Sequence, residues 1–182
     1  AVSALAAHLH QAKTHQYRAL LNENIIPLRP GIERLITQAR QAGIRLAIAT
    51  TSRLENAIAL LSQTFGPDSP DWFEVIAAGD IVPHKKPAPD IYHYVLGKLA
   101  LSPSDCLVFE DTAHGLTAAT QAGLKTVVTL NDYTQNQDFT TALLVLNHLG
   151  EPNQPFTLVA GHPGYLPYYF DLFFAQALLK TS

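Results

Sequence analysis

Four apolar runs, "IRLAIAT", "WFEVIAAGD", "CLVFE" and "KTVVTL", each separated from the next by a stretch with helical periodicity, restrict this 182-residue chain more than any other feature. Buried apolar runs of this length read as strands, and strands alternating with helices of roughly 10 to 15 residues build a parallel sheet covered on both faces. The helices are "LENAIALLSQTFG", "PAPDIYHYVLGKLAL", opened by prolines that a first helical turn tolerates, and "AHGLTAATQAG". Upstream, "GIERLITQARQAG" puts Ile32, Leu35, Ile36 and Ala39 on one stripe and stops at Gly43. Residues 2–21 carry Leu5, Leu9, Ala12, Tyr17 and Leu20 at spacings that suit an amphipathic helix, followed by the turn-rich "NENIIPLRPG". After Asn131 the pattern loosens: "ALLVLNHLG" and "FTLVAG" are expected to add edge structure before a last aromatic helix near "GYLPYYFDLFFAQALL". The expected fold is therefore α/β, a Rossmannoid parallel sheet with helices on both faces.

Composition supports one ordinary core, since 47% of residues are apolar and 15% charged. A net charge of −3 gives no reason to expect nucleic acid or an anionic membrane as partner. The one cysteine, Cys106, has no partner for an internal disulfide, and no apolar stretch approaches the roughly 20 residues that span a bilayer. "AVSALAAHLH" is too short and interrupted for a signal peptide, so a reducing, cytoplasmic setting is expected.

Ligands of open parallel sheets lie beyond the carboxyl ends of the strands, which singles out the residues just after each run. The first run ends in Thr50, Thr51 and Ser52, followed by Arg53 at a helix start. Hydroxyls, a cation and helix amides suit a phosphate cradle, and Ser or Thr before a helix equally suits an N-cap. After the second run, "HKKPAPD" holds Lys86 on a loop stiffened by Pro87 and Pro89, as a fixed positive charge or as an ordinary solvated lysine. The third run ends in Glu110 and Asp111, and two adjacent carboxylates suit Mg²⁺, which takes one or two protein carboxylates along with water and substrate phosphate oxygens. Thr112 and Gly115 shape the turn that follows. An unrelated phosphate-binding domain would need a glycine-rich loop, and "ATTSRLEN" has none.

Three successive strand ends thus deliver hydroxyls, a lysine and a carboxylate pair to one sheet edge. On "LAIATTS", "KKPAPDIY" and "CLVFEDTAHGLTAATQAGL" the sequence resembles the haloacid dehalogenase superfamily, in its β-phosphoglucomutase-like and CbbY-like branch, from "KTHQYRALL" to about "LNHLG". The resemblance implies a Mg²⁺-dependent phosphatase acting on a small sugar phosphate, with a pentulose bisphosphate suggested by the CbbY-like branch. It implies that Thr50 holds the transferring phosphoryl group and that Lys86 neutralises it. Glu110 and Asp111 would bind the metal, with Thr51, Ser52 and Arg53 in supporting phosphate contacts. It implies a cap helix over residues 1–24, a core over 25–150 and an extension over 151–182 packing on that core.

One departure matters as much as the match. The family's first motif, Asp-x-Asp-x-Thr, supplies the attacking carboxylate and the acid/base, and no two Asp residues of this chain are separated by one residue. The expectation is an amino-terminally incomplete phosphatase, inactive by itself, lacking the central strand between the one ending at Thr50 and the one ending at Glu110. A non-catalytic phosphate-binding remnant of the same fold is the alternative. A monomer or weak homodimer is expected. His8, His10 and His15 do not share one helix face and imply no metal, Lys13 and Arg18 read as a solvated face or a pocket contact, and Tyr168 to Phe174 reads as a packing face.

Overall fold

The computed structural model describes residues 27–180. The expected cap helix over residues 1–24, with Lys13, Arg18 and the three histidines, lies outside them. Helix α1 (Ile32–Gln41) buries Leu35 and Ala39 as its stripe requires. It starts at Gly31, whose φ of 89° and close approach to the Gly150 carbonyl leave no room for a side chain. Strand β1 (Ala47–Thr50) leads to α2 (Leu54–Phe65), which stops at Gly66 with φ 99°. Then follow β2 (Val75–Ala78), α3 (Asp90–Leu99), β3 (Leu107–Glu110), α4 (Ala113–Gln121) and β4 (Lys125–Thr129). Short strands β5 (Leu144–Leu146) and β6 (Leu158–Ala160) and helix α5 (Leu172–Lys180) close the order.

Pairing shows the expected break between the strand ending at Thr50 and the one ending at Glu110, and departs from an all-parallel sheet at one edge. Among the described residues the strands form two ladders, a parallel β1-β2 pair and a four-stranded β3-β4-β5-β6 sheet, and no ladder joins them. Within the larger sheet β6 runs antiparallel to β5. The connection between them is a tight return through the Glu151–Gln154 bridge, too short for the helical crossover that a parallel neighbour needs. The last helix is also shorter than its aromatic pattern predicts. Pro163, Gly164 and Pro167 break the chain upstream, and the Asp171 carboxylate accepts from Phe174 N–H at 2.8 Å, which starts the helix only at Leu172.

Helix α3 ties the two ladders together. Its Ile91, Tyr92, Val95, Leu96 and Leu99 pack with Ala77 of β2, with Ala118 and Ala119 of α4, and against the half-buried Ala47, Ala49 and Val108. Apolar faces of β1, β2 and β3 are thus covered by one helix, which fixes where their carboxyl ends lie. A second cluster joins Phe170, Phe174 and Leu178 to Leu35, Val127, Leu144, Leu146 and Leu149. Phe174 is buried while Phe173 is exposed, so the aromatic segment is an amphipathic packing face as its pattern predicts.

Candidate active site

Lys86 sits where the two ladders meet. Its ammonium donates to the Ala49 carbonyl of β1 at 2.9 Å and to Glu110 Oε1 of β3 at 2.5 Å. Alternate carbonyls of a parallel strand point to opposite edges, and those of Leu46 and Thr50 already accept from Glu74 and Gly79 on the β2 side. The Ala49 carbonyl therefore belongs to the open edge of β1, and Lys86 is its donor. Lysine and glutamate side chains are both well buried, at 12% and 7% exposure, so this is a desolvated pair rather than a surface one.

Two further features hold Glu110. Tyr92, in the first turn of α3 and itself buried, donates its hydroxyl to the same Glu110 oxygen, and its ring lies 4.9 Å from the Lys86 ammonium. Burial and then the adjacent Glu110 charge push the Tyr92 phenol far above its usual range, so it stays a donor. Gly115 of α4 provides the space. A Cβ at that position would overlap the Glu110 carboxylate, so the helix approaches this closely only because glycine stands there. Thr112 sets the approach by accepting from Gly115 N–H at 3.0 Å as the N-cap of α4.

Asp111 is placed differently. Its side chain reaches solvent, yet partial burial and then the Glu110 charge raise its carboxyl above the usual carboxylate range, with Lys86 and Arg29 pulling the other way. Asn131 Nδ2 donates to Asp111 Oδ2 at 3.3 Å. Among the described residues no three His, Cys, Asp or Glu side chains gather into a closed metal cage. Two adjacent carboxylates suit an octahedral, hydrated Mg²⁺, which needs few protein ligands, and do not suit a four-ligand structural zinc.

The cleft beside these groups has a volume of about 550 Å³ and is lined by Thr51, Lys86, Thr112, Ala113, His114, Gln137 and Asp138. Of the residues the sequence singles out, Thr51, Lys86 and Thr112 line this space, whereas Glu110 and Asp111 stand beside it and are not part of its lining. Thr50 ends β1 with its hydroxyl accepting from Ser52 N–H at 3.1 Å, a local turn contact. Neither Ser52 nor Arg53 lines the cleft, and Arg53 stands exposed at the start of α2. Three participants carry no warning in the sequence pattern: Tyr92, inside a helix that reads as core, and His114 and Gln137 on the cleft wall. Gln137 accepts from Ala113 N–H at 2.8 Å, so the loop after β4 closes on the start of α4.

Residues 2–123 match the family model for haloacid dehalogenase-like hydrolases. Protein CbbY of Rhodobacter capsulatus is 48% identical over 136 residues, covering 75% of this chain and 60% of that protein. A CBBY-like protein of Arabidopsis thaliana is 36% identical over 176 residues, 97% of this chain and 51% of its own length. A crystal structure of a mutant CbbY from Rhodobacter sphaeroides, in complex with xylulose-(1,5)bisphosphate, superposes with a TM-score of 0.74 at 46% identity, covering 78% of this chain and 63% of that one. The chain spans between half and about two thirds of the length of these relatives.

Proposed function

Because the chain belongs to the haloacid dehalogenase-like hydrolases, we propose that it forms the phosphate- and metal-holding part of a Mg²⁺-dependent phosphatase for a small sugar phosphate. A pentulose bisphosphate is the favoured substrate, because the CbbY structure holds one. The observation that carries the reading is the buried pair between Lys86, from the loop after β2, and Glu110 at the carboxyl end of β3, with the Asp111 carboxylate next in sequence and a cleft that Lys86 lines alongside.

Each side chain has a definite task in phosphoryl transfer. Lys86 places a fixed positive charge at the cleft, where it offsets the negative charge of the transferring phosphoryl group, and Glu110 and Tyr92 keep it from swinging away. Thr51 lines the same space, and its hydroxyl suits a phosphate oxygen. Glu110 and Asp111 would hold Mg²⁺, which when bound neutralises phosphate charge and orients the ester. Attack on phosphorus needs a carboxylate, and protonation of the leaving alcohol needs a second acid. These 182 residues contain no Asp-x-Asp pattern, so on this reading both come from further polypeptide that pairs with the open edges of β1 and β3.

The test is phosphate release by the native protein from a panel of sugar phosphates that includes xylulose 1,5-bisphosphate, with Mg²⁺ and with EDTA. Release is expected with Mg²⁺, lost in EDTA and lost in Asp111→Asn. Release unaffected by EDTA would overturn the metal assignment, and no release from any ester would favour a phosphate-binding protein without turnover.

A further inference from the structure

Asn131, the second residue beyond β4, lies at the same carboxyl edge of the sheet as Glu110 and Asp111, and its surroundings hold it firmly. Asn131 Oδ1 accepts from Tyr133 N–H at 2.9 Å, an Asx-turn contact that fixes the amide orientation and leaves Nδ2 as the group facing Asp111 Oδ2 at 3.3 Å. The backbone is fixed as well: Asn131 N–H donates to the hydroxyl of the buried Thr134 at 3.1 Å, and its carbonyl accepts from Thr134 N–H at 3.0 Å and Gln135 N–H at 3.2 Å. Beneath it, Arg29 anchors the strand end. Its guanidinium donates to the Thr129 carbonyl at 3.2 Å, to the Thr129 hydroxyl at 3.3 Å, to the Leu130 carbonyl, and to the Asn147 carbonyl at 2.5 Å.

We propose that Asn131 is a positioning residue for Asp111. The Arg29-anchored end of β4 and the turn over residues 131–135 present its amide donor so that one carboxylate oxygen of Asp111 is held and the other is left for the metal. The proposal rests on the reading of Glu110 and Asp111 as the Mg²⁺ ligands. A freely rotating Asp111 would have to be ordered when the cation binds, whereas one tethered through Oδ2 is already oriented, and outer partners of this kind commonly contribute about 10-fold or more to metal affinity.

Asn131→Ser is the informative variant, because serine can still accept from Tyr133 N–H and keep the turn, while its hydroxyl is too short to reach Asp111. Mg²⁺ affinity would be measured by calorimetry on the native protein, its Asn131→Ser variant and its Asp111→Asn variant, alongside melting temperatures in EDTA. Asn131→Ser is expected to raise the Mg²⁺ Kd by about 10-fold with an unchanged melting temperature in EDTA, and Asp111→Asn to abolish measurable binding. Wild-type Mg²⁺ affinity in Asn131→Ser, with binding lost in Asp111→Asn, would overturn the positioning role alone. Wild-type affinity in Asp111→Asn would overturn the metal assignment on which it rests. A fall in the EDTA melting temperature of Asn131→Ser with no change in Kd would assign Asn131 to turn stability and overturn the proposal.

Discussion

Lys86→Met will destabilise the native protein by about 3 kcal/mol and lower phosphate release at least 100-fold. The stability loss follows from burial. Glu110 is 7% exposed, and removing the cation from a desolvated pair leaves a carboxylate that neither water nor another charge compensates, at a cost on the order of 3–5 kcal/mol. The lower end applies because Tyr92 still donates to the same oxygen. The activity loss follows from the position of the ammonium in the cleft, where a single preorganised electrostatic group is worth about 100- to 1,000-fold. Urea unfolding and steady-state phosphate release read the two effects separately. Lost activity with wild-type stability would mean that the Lys86–Glu110 pair is not desolvated in solution, and wild-type activity with lost stability would remove Lys86 from the chemistry.

Gly115→Ala should separate stability from function in the opposite sense. In a helix interior, alanine is better than glycine by about 1 kcal/mol, and Gly115 has no left-handed backbone that would resist a side chain. Against this, the new methyl would overlap the Glu110 carboxylate. That carboxylate is held by Lys86 and Tyr92, so relief means breaking at least one of those bonds and moving the proposed metal ligand. A net loss of about 1–2 kcal/mol is expected, because the helix gain offsets part of an overpacking cost of about 1–3 kcal/mol. Mg²⁺-dependent activity should fall by about 100-fold, consistent with displacement of a group at the reacting centre by about an ångström. Thermal unfolding and Mg²⁺ titration of activity check it, and an alanine variant with unchanged Mg²⁺ response would show that Glu110 has room the structure does not display.

Much of this architecture is legible in the residues. Apolar runs and glycine or proline boundaries place β1 to β4 and their helices within a few residues, because strands covered on both faces and helices with one apolar stripe leave different periodicities. Lys86, Glu110 and Asp111 stand out as candidates because Glu110 ends β3, Asp111 follows it and Lys86 lies on the proline-flanked loop between β2 and α3, on the side where open sheets place their ligands. What does not show is how side chains meet across elements. Tyr92 reads as core, and is core, yet its hydroxyl is one of the donors on Glu110. Asn131 is visible by the same strand-end rule applied to β4, but its role depends on a turn and on Arg29 far away in sequence. The hydroxyl cluster after β1 illustrates the converse. The sequence reading puts Thr50 on the phosphoryl group and Thr51, Ser52 and Arg53 in support, while in the structure Thr51 lines the cleft and the Thr50 hydroxyl accepts from Ser52 N–H. The break between the two ladders follows from the expected lack of a central strand, whereas the lysine that spans it, from the Ala49 carbonyl to Glu110, is a tertiary outcome with no local signal.

The central claim is that Glu110 and Asp111 form the metal-holding edge of a phosphatase cleft. Anomalous diffraction from crystals of the native protein grown with Mn²⁺ in place of Mg²⁺ tests it most directly. One strong peak is expected, coordinated by oxygens of Glu110 and Asp111, beside Lys86 and next to the cleft lined by Thr51 and Thr112. A peak bound elsewhere, or none at these two carboxylates at saturating Mn²⁺, would contradict it.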